Sequence, residues 1–544
     1  MYKRQLLDSP PYGERQAQHW LDVIRYAETE GFEYDRLMPD IWRFRDYVIA
    51  AFNSDMPYDQ FLMEQLAGDE LGDEPDLRIA AGFHRLGAVR RNAGNQAVAS
   101  SRNEVLTERT DIIGSAVLGL TIGCARCHDH KFDPIPQRDY YRLQAFLAAT
   151  REDNVSLSRS AEQERLAALK IDIDAKILEL KGILANLDGD EETRVKAEIQ
   201  QLQLQLPPPS PTLCSIKNDW QNADLIHLLR RGDPDLPGPV VGMRTLGVLS
   251  PQDRVELPAD TPQPRTKLAR DLVNPEHPLT SRVIVNRIWH QHFGTGLVST
   301  PNDFGKNGSP PSHPQLLDYL AYQFVMGGWH FKELHREMVT SSVYRQASQA
   351  SSSATAIDPG NRRLSHFPRR RLSGEEIRDA MLSISATLNL TMGGPSVVLP
   401  VESELIDQLY KPTQWQVTSD KQQHYRRSIY LLAKRNLRLP FMEVFDQPSS
   451  QTSCAVRQQS THARQSLELL NGPIANELAA AFARRLTRET DSDPRAIVRH
   501  AFRLATAREP MATEMDLSHS ILEELGVNEF ALAVFNLNAF LYVD

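Results

Sequence analysis

The stretch GCARCHDHKFDPI occupies residues 123–135 and lies between two segments with helical patterns, residues 104–122 and residues 140–147. Apolar residues recur at helical spacing along the chain before it, and prolines and glycines punctuate these segments. We therefore predict an α-helical domain over residues 1–155. The stretch itself lies at the junction of a helix and a loop, where polar side chains can project from an ordered framework.

The same stretch contains the pattern C-x-x-C-H, formed by Cys124, Cys127 and His128. Two thiols at this spacing can form thioether bonds to one edge of a haem, and the following histidine can ligate the iron. The pattern therefore predicts a c-type haem. A sixth iron ligand would come from His84, His130 or a methionine, or be absent if the iron binds a small molecule. His84 is preferred because His130 is only two residues from His128.

Two other interpretations of the motif remain open. Cys124, Cys127, His128 and His130 could bind zinc or another transition metal, since thiolate and imidazole suit such ions. No second C-x-x-C or H-x-x-x-H completes a zinc finger, which weakens that interpretation. The cysteines could instead be structural, as a local disulfide or a pair of inert thiols.

Composition limits the class of protein. The chain has 544 residues, 41% of them hydrophobic and 24% charged, which is typical of a folded multi-domain protein and not of a disordered one. Its formal net charge of -9 disfavours a nucleic-acid-binding protein, which needs a basic surface. Four cysteines are too few for a disulfide scaffold.

Targeting signals give conflicting indications. The first residues contain no apolar run of signal-peptide length, and no segment has the length and hydropathy of a transmembrane span. Covalent haem attachment, however, is a chemistry of the periplasm or lumen. The missing leader predicts a cytoplasmic protein, whereas the haem motif predicts a periplasmic or extracellular one with a truncated start, and the residues alone leave both interpretations open.

Composition shifts divide the chain into four predicted segments. A Glu-, Lys- and Leu-rich stretch predicts a helical hairpin or coiled coil, ended by the prolines at 207–209 and 211. A Gly-, Pro- and β-branched stretch then predicts short strands and turns. The fold class is mainly α. The segments are the motif domain (1–155), the hairpin (156–211), a β-like linker module (212–262) and a C-terminal helical domain (263–544).

Three polar features of the C-terminal domain are candidates for binding. Asn286 and His290 lie one helical turn apart, with His292 nearby, although packing and capping roles are the more usual fate of such residues. The loop at 300–314 is rich in turn formers and predicts an irregular rim. An arginine-rich run could bind sulfate, phosphate or carboxylated glycans, although pairing with Glu375 and Glu376 is favoured. Its arginines are Arg362, Arg363, Arg369, Arg370 and Arg371.

The chain resembles large planctomycete proteins that join a "planctomycete cytochrome C" type domain of unknown function to a planctomycete-specific C-terminal domain. The first domain is indicated by YGERQAQHWLDVIRYAETEGFEYD and CARCHDHKFDPIPQRDYYRLQAFL. The second is indicated by NRIWHQHFGTGLVSTPNDFGKNGSPPSHPQLLDYLA, by RRSIYLLAKRN and by the closing FNLNAFLYVD. The resemblance covers most of the chain outside the hairpin and the linker module.

The resemblance implies an exported protein, encoded in lineages where such genes accompany sulfatases and polysaccharide breakdown. It implies haem binding at Cys124, Cys127 and His128, and an electron-transfer or redox-support role with a redox partner or glycan-degrading enzymes. It carries no established activity, so whether the chain is an enzyme stays open. The alternative is a non-redox binding or scaffold protein that recognises anionic glycans or a partner enzyme, with the cysteine motif structural or binding another metal. A third interpretation is a metal-dependent enzyme that uses His128 and His130.

Overall fold

A computed structural model describes residues 2–90, 99–157, 160–184, 189–205, 211–250 and 255–543. Helices make up 54% and strands 6% of it, which confirms the predicted mainly α class. Within these residues, no helix combines the length and the apolar character needed to cross a membrane.

In the described part of the chain, seven α-helices precede the first strand. α2 begins on two prolines, whose missing N–H groups cost nothing in the first turn of a helix. The sequence predicts this helix to continue to residue 30, but it ends at Val23 because Arg25 has a left-handed φ of 51°. The helices are α1 (Tyr2–Leu7), α2 (Pro10–Val23), α3 (Trp42–Asn53), α4 (Tyr58–Leu71), α5 (Pro75–Ala80), α6 (Ala99–Ile112) and α7 (Gln137–Ala145).

The single helix predicted over residues 104–122 is wrong beyond Ile112. A π-helical turn, Ile113–Leu118, follows α6, and Gly119 then adopts a φ of 59°. The Phe304 N–H donates to the Gly119 carbonyl at 2.7 Å, and a Cβ at Gly119 would lie only 3.0 Å from the Phe304 ring. The chain turns here because a distant loop docks on it.

The predicted helical hairpin is present as α8 (Ser160–Leu184) and α9 (Asp190–Gln205). Its two helices pack through Ile173, Ile177 and Ile199, apart from the main cores. The prolines at 207–209, predicted to end it, lie outside the described residues.

Six short strands form three antiparallel pairs. β1 (Thr150–Ser156) pairs with β2 (Thr212–Asn218) on either side of the hairpin. β3 (His227–Leu229) pairs with β4 (Pro237–Val240), and β5 (Arg370–Arg371) pairs with β6 (Tyr542–Val543). The strands predicted within residues 212–257 are thus confirmed.

The apolar run at 428–434 is predicted as a strand but begins as a 3₁₀ turn, Ser428–Tyr430. Its pairing is confined to one bridge between Leu431 and Val397. Tyr430 packs in one core and Leu431 in another, so the run joins two cores and does not extend a sheet.

The C-terminal half is helical. The helices are α10 (Pro264–Leu272), α11 (Thr280–Phe293), α12 (Pro314–Met326), α13 (Phe331–Thr340), α14 (Ser352–Ile357), α15 (Gly374–Ile384), α16 (Ser403–Asp407), α17 (Pro440–Val444), α18 (Ala463–Asn471), α19 (Pro473–Glu489), α20 (Pro494–Thr506), α21 (Ala512–Glu524), α22 (Val527–Phe535) and α23 (Asn538–Leu541).

Two large hydrophobic cores hold these elements. The first combines the helices before the hairpin with α10 to α13, and the second begins in α15 and extends to α23. A buried ion pair supports the first core, where Arg265 of α10 contacts Asp69 of α4 at 2.5 Å. The four sequence segments remain a prediction, since the cores group helices from more than one of them.

Candidate functional site

The cysteine motif lies on a 3₁₀ turn, Ile122–Arg126, that follows the π-helical turn. Cys124 and His128 are exposed, and Cys127 is half-buried. All four cysteines lie in the described part of the chain, and each is an unpaired thiol. The disulfide considered for Cys124 and Cys127 is therefore not present.

The His128 ring has a defined arrangement. Its Nδ1 lies 2.6 Å from the Asp129 carbonyl oxygen. Because that oxygen can only accept, Nδ1 carries the proton and the Nε2 lone pair is left for another partner. Metal-ligating histidines commonly use this arrangement, in which a backbone carbonyl fixes the tautomer. His128 and the exposed Cys124 thiol therefore fit a haem attachment site.

The Cys127 thiol is less accessible than the Cys124 thiol. A Cβ placed on Gly232 would lie 2.8 Å from Cys127 Sγ, so the turn between β3 and β4 covers the thiol. Gln137 holds this turn in place, because its Nε2 donates to the carbonyls of Arg126 at 2.8 Å and Leu229 at 2.7 Å. A thioether bond at Cys127 would require the turn to shift.

His84 is placed in the interior of the protein. Its Nε2 is 3.0 Å from the Leu66 carbonyl, and its Nδ1 is buried without a hydrogen-bond partner in the described structure. Burial, followed by the charges of Arg265 and Arg109, holds the pKa of His84 well below its usual value. Iron ligation through Nε2 would break the contact with Leu66.

His130 organises the turn after the motif. Its Nδ1 accepts from the Asp133 N–H at 2.9 Å, and its own N–H donates to the Ile135 carbonyl at 2.9 Å. Only 8% of its surface is exposed. Ligation through Nδ1 would cost the turn a hydrogen bond, so each histidine proposed as a sixth ligand is buried and has one ring nitrogen engaged within the protein.

Behind the motif lies a carboxyl group that sequence patterns do not indicate. Tyr140 donates to Asp111 Oδ1 at 3.1 Å, and Asp111 lies close to Gly123. Burial raises the pKa of Asp111 to about 6. Across the described residues, no cluster of three or more histidine, cysteine or acidic side chains has the geometry of a metal site.

Two family models match the chain. The PSCyt2 model, a protein of unknown function (DUF1549), matches residues 3–152, and the PSD1 model, a protein of unknown function (DUF1553), matches residues 264–522. The chain carries the PSCyt2 and PSD1 domains in that order. This confirms the predicted resemblance to a planctomycete cytochrome C type domain followed by its C-terminal companion. Neither a curated protein nor a solved structure matches the chain.

The turns on either side of the cysteine motif of PSCyt2 are in contact with PSD1. Asp133 Oδ1 accepts from the Lys306 N–H at 2.6 Å, within the irregular loop that the sequence predicts as a rim. In PSD1, Arg287 donates to the Ser115 carbonyl at 2.7 Å and to the Ala116 carbonyl. The two matched segments thus meet at the turns on either side of the cysteine motif.

The polar residues of α11 do not form one site. Asn286 is fully buried. Its Nδ2 donates to the Val298 carbonyl and its Oδ1 accepts from the Val298 N–H, so the side chain has a structural role. His292 Nε2 lies 2.7 Å from Nδ1 of His335, a residue without a sequence signal of its own. Burial lowers the pKa of His290, and burial followed by the charge of Arg370 lowers that of His292 to about 4.

The arginine-rich run of PSD1 is engaged within the protein. Arg370 binds Glu376 through two hydrogen bonds of 3.1 Å, which is the pairing that the sequence favours. Arg371 contacts Asp446 at 2.5 Å, and Arg369 lies over the Tyr542 ring at 4.6 Å. Arg362 and Arg363 are exposed. The run is therefore not a continuous patch of unpaired cations.

Proposed function

We propose that this protein carries a c-type haem, attached through Cys124 and Cys127 with His128 as iron ligand, and serves electron transfer or redox support in an exported pathway. The observation that carries the proposal is the His128 ring. Its Nδ1 proton is held by the Asp129 carbonyl at 2.6 Å, which leaves Nε2 open on an exposed ring, and the Cys124 thiol four residues earlier is exposed as well. A bound haem would supply one-electron chemistry.

Residues around the motif have supporting roles in this proposal. Arg126 hydrogen-bonds Cys127, and Lys131 lies 5.2 Å from the centre of the Phe132 ring at the surface. Both cations are available to pair with haem propionates. Because His84 and His130 are buried whereas His128 is exposed, we propose that the protein supplies a single iron ligand, His128.

The test is expression with export to a periplasm that contains a c-type maturation system, followed by denaturation, haem staining and a pyridine haemochrome spectrum. We expect haem that survives denaturation and disappears in Cys124→Ser and Cys127→Ser. Cys454→Ser is the matched control, since its thiol lies in a different part of the chain and should leave staining intact. His128→Ala should keep the covalent haem but change its spectrum.

A colourless protein, matured beside a known cytochrome that does acquire haem, would contradict the proposal. The second candidate would then apply, because the Cys127 thiol lies under Gly232 as a structural residue would. In that case the motif stabilises the contact between PSCyt2 and PSD1, and the protein acts as a non-redox scaffold for a glycan or a partner enzyme.

A further inference from the structure

A cavity of about 800 Å³ lies away from the cysteine motif, between the first turns of α6, the end of α7, β1 and the segment that leads into β3. Its size is within the usual range for small-molecule sites. Apolar walls are provided by Leu106, Ile226 and Leu229, and buried polar groups by Arg109 and Gln144.

Arg109 is an unusual residue in this wall. Only 3% of its surface is exposed, and its guanidinium donates to two backbone carbonyls, those of His84 at 3.0 Å and Thr150 at 3.1 Å. In the described residues no carboxylate forms an ion pair with it, and Glu152, whose charge acts on it, contacts Arg85 at 3.3 Å. A buried cation without a counter-charge is costly.

The electrostatic surroundings increase that cost. Burial and then the charge of Arg102 lower the pKa of Arg109 to about 9. At the rim, Arg102 and Arg151 share one carboxylate, Asp224, at 2.7 and 2.8 Å. This side of the cavity therefore carries excess positive charge, which an anion would offset.

Gln144 provides a second, independent observation. It is 2% exposed, and its Nε2 has no hydrogen-bond partner in the described structure. An unsatisfied buried donor costs about 1–3 kcal/mol, so such groups are normally paired. Gln144 and Arg109 line the same cavity, and the Gln144 Nε2 and the Arg109 guanidinium are both N–H donors.

We propose that this cavity binds an organic monocarboxylate, with the carboxylate held by Arg109 and Gln144 and the apolar body against Leu106, Ile226 and Leu229. One negative charge balances one unpaired guanidinium, and the planar carboxylate matches the guanidinium fork. Inorganic phosphate has no apolar body, so it would leave the apolar walls of the cavity without a partner. The site does not depend on haem.

The test is isothermal titration calorimetry of the full chain with 4-phenylbutyrate, with 4-phenylbutanol as the neutral analogue and inorganic phosphate as the anion without an apolar body. We expect saturable binding of 4-phenylbutyrate, at least about tenfold tighter than either of the others. Equal binding of acid and alcohol, tighter binding of phosphate, or no binding of the acid at millimolar concentration would overturn the proposal.

Gln144→Leu keeps the size of the side chain and removes the unpaired donor, so it should fold at least as stably as the wild type. It should weaken 4-phenylbutyrate binding about fivefold or more. Arg109→Met should abolish binding, whereas Arg362→Met removes an exposed guanidinium and should change nothing. Unchanged affinity in Gln144→Leu and Arg109→Met would refute the assignment, whatever the result of haem staining.

Discussion

The carboxylate of Asp133 accepts a hydrogen bond of 2.6 Å from the Lys306 peptide N–H, and so ties the motif turn of PSCyt2 to the irregular loop of PSD1. Asp133 is 8% exposed, and Gly305 approaches it so closely that a side chain there would collide with the carboxylate. The contact explains why both stretches have irregular backbone, since each shapes the other.

Asp133→Ala should lower the free energy of unfolding by about 2 kcal/mol, because the Lys306 N–H loses a charged acceptor in a buried position. Urea denaturation followed by fluorescence measures this. Asp235→Ala, which removes an exposed carboxylate, should change stability by less than about 0.5 kcal/mol. Equal urea midpoints for the two variants would show that the hydrogen bond between Asp133 and Lys306 contributes little to stability.

Gly232→Ala should be destabilising for two reasons, its φ of 73° and the 2.8 Å approach of the new Cβ to Cys127 Sγ. We expect a loss of about 2 kcal/mol. Gly294→Ala is the control, with a φ of 71° but no atom within 4 Å, and should cost about 1 kcal/mol. In thermal unfolding, adding Cys127→Ala should restore part of the stability that Gly232→Ala loses. No rescue would mean that the thiol does not contact this turn.

Acid should destabilise the fold through His292 and His335. Burial, with a further contribution from Arg370, lowers the pKa of His292 from its ordinary value to about 4. The unfolded chain therefore binds more protons than the folded one between about pH 6.5 and 4, and stability falls as the pH drops through this window. His292→Gln should reduce that fall by about 2 kcal/mol. His462→Gln, which changes an exposed histidine, is the control.

Asp111 should have the opposite pH dependence. Burial raises its pKa to about 6, so the folded state binds the extra proton and stability falls as the pH rises from about 4 to 6. Asp111→Asn keeps an acceptor for Tyr140 and removes the charge. The variant should be more stable than wild type by about 1–2 kcal/mol at pH 7.5 and show little gain at pH 4. A constant difference across pH would contradict a raised pKa.

The helical hairpin should be dispensable for folding. α8 and α9 pack on each other through their own small core. The pairing of β1 with β2 continues at the ends of the strands next to the hairpin, where the Leu157 N–H donates to the Pro211 carbonyl at 2.9 Å. Replacing residues 158–210 by Asn-Gly converts β1 and β2 into a tight hairpin. The melting temperature should shift by less than about 3 °C. Aggregation or loss of cooperative unfolding would show that the hairpin supports the cores.

The sequence by itself determined the helical class, the helical hairpin, the strand-forming linker and the order of the two family domains. Periodic apolar residues, prolines and glycines act on neighbouring residues, so their effect on secondary structure can be predicted from the local sequence. It also located the cysteine motif and the irregular loop of PSD1.

Only the tertiary structure decided what surrounds those features. The burial of Cys127 under Gly232, the docking of Asp133 on Lys306 and the end of the π-helical turn at Gly119 depend on residues far apart in the chain. The unpaired state of Arg109 likewise depends on which carboxylates the fold brings near it. Burial and charge pairing are properties of the packed chain, which local sequence periodicity does not encode.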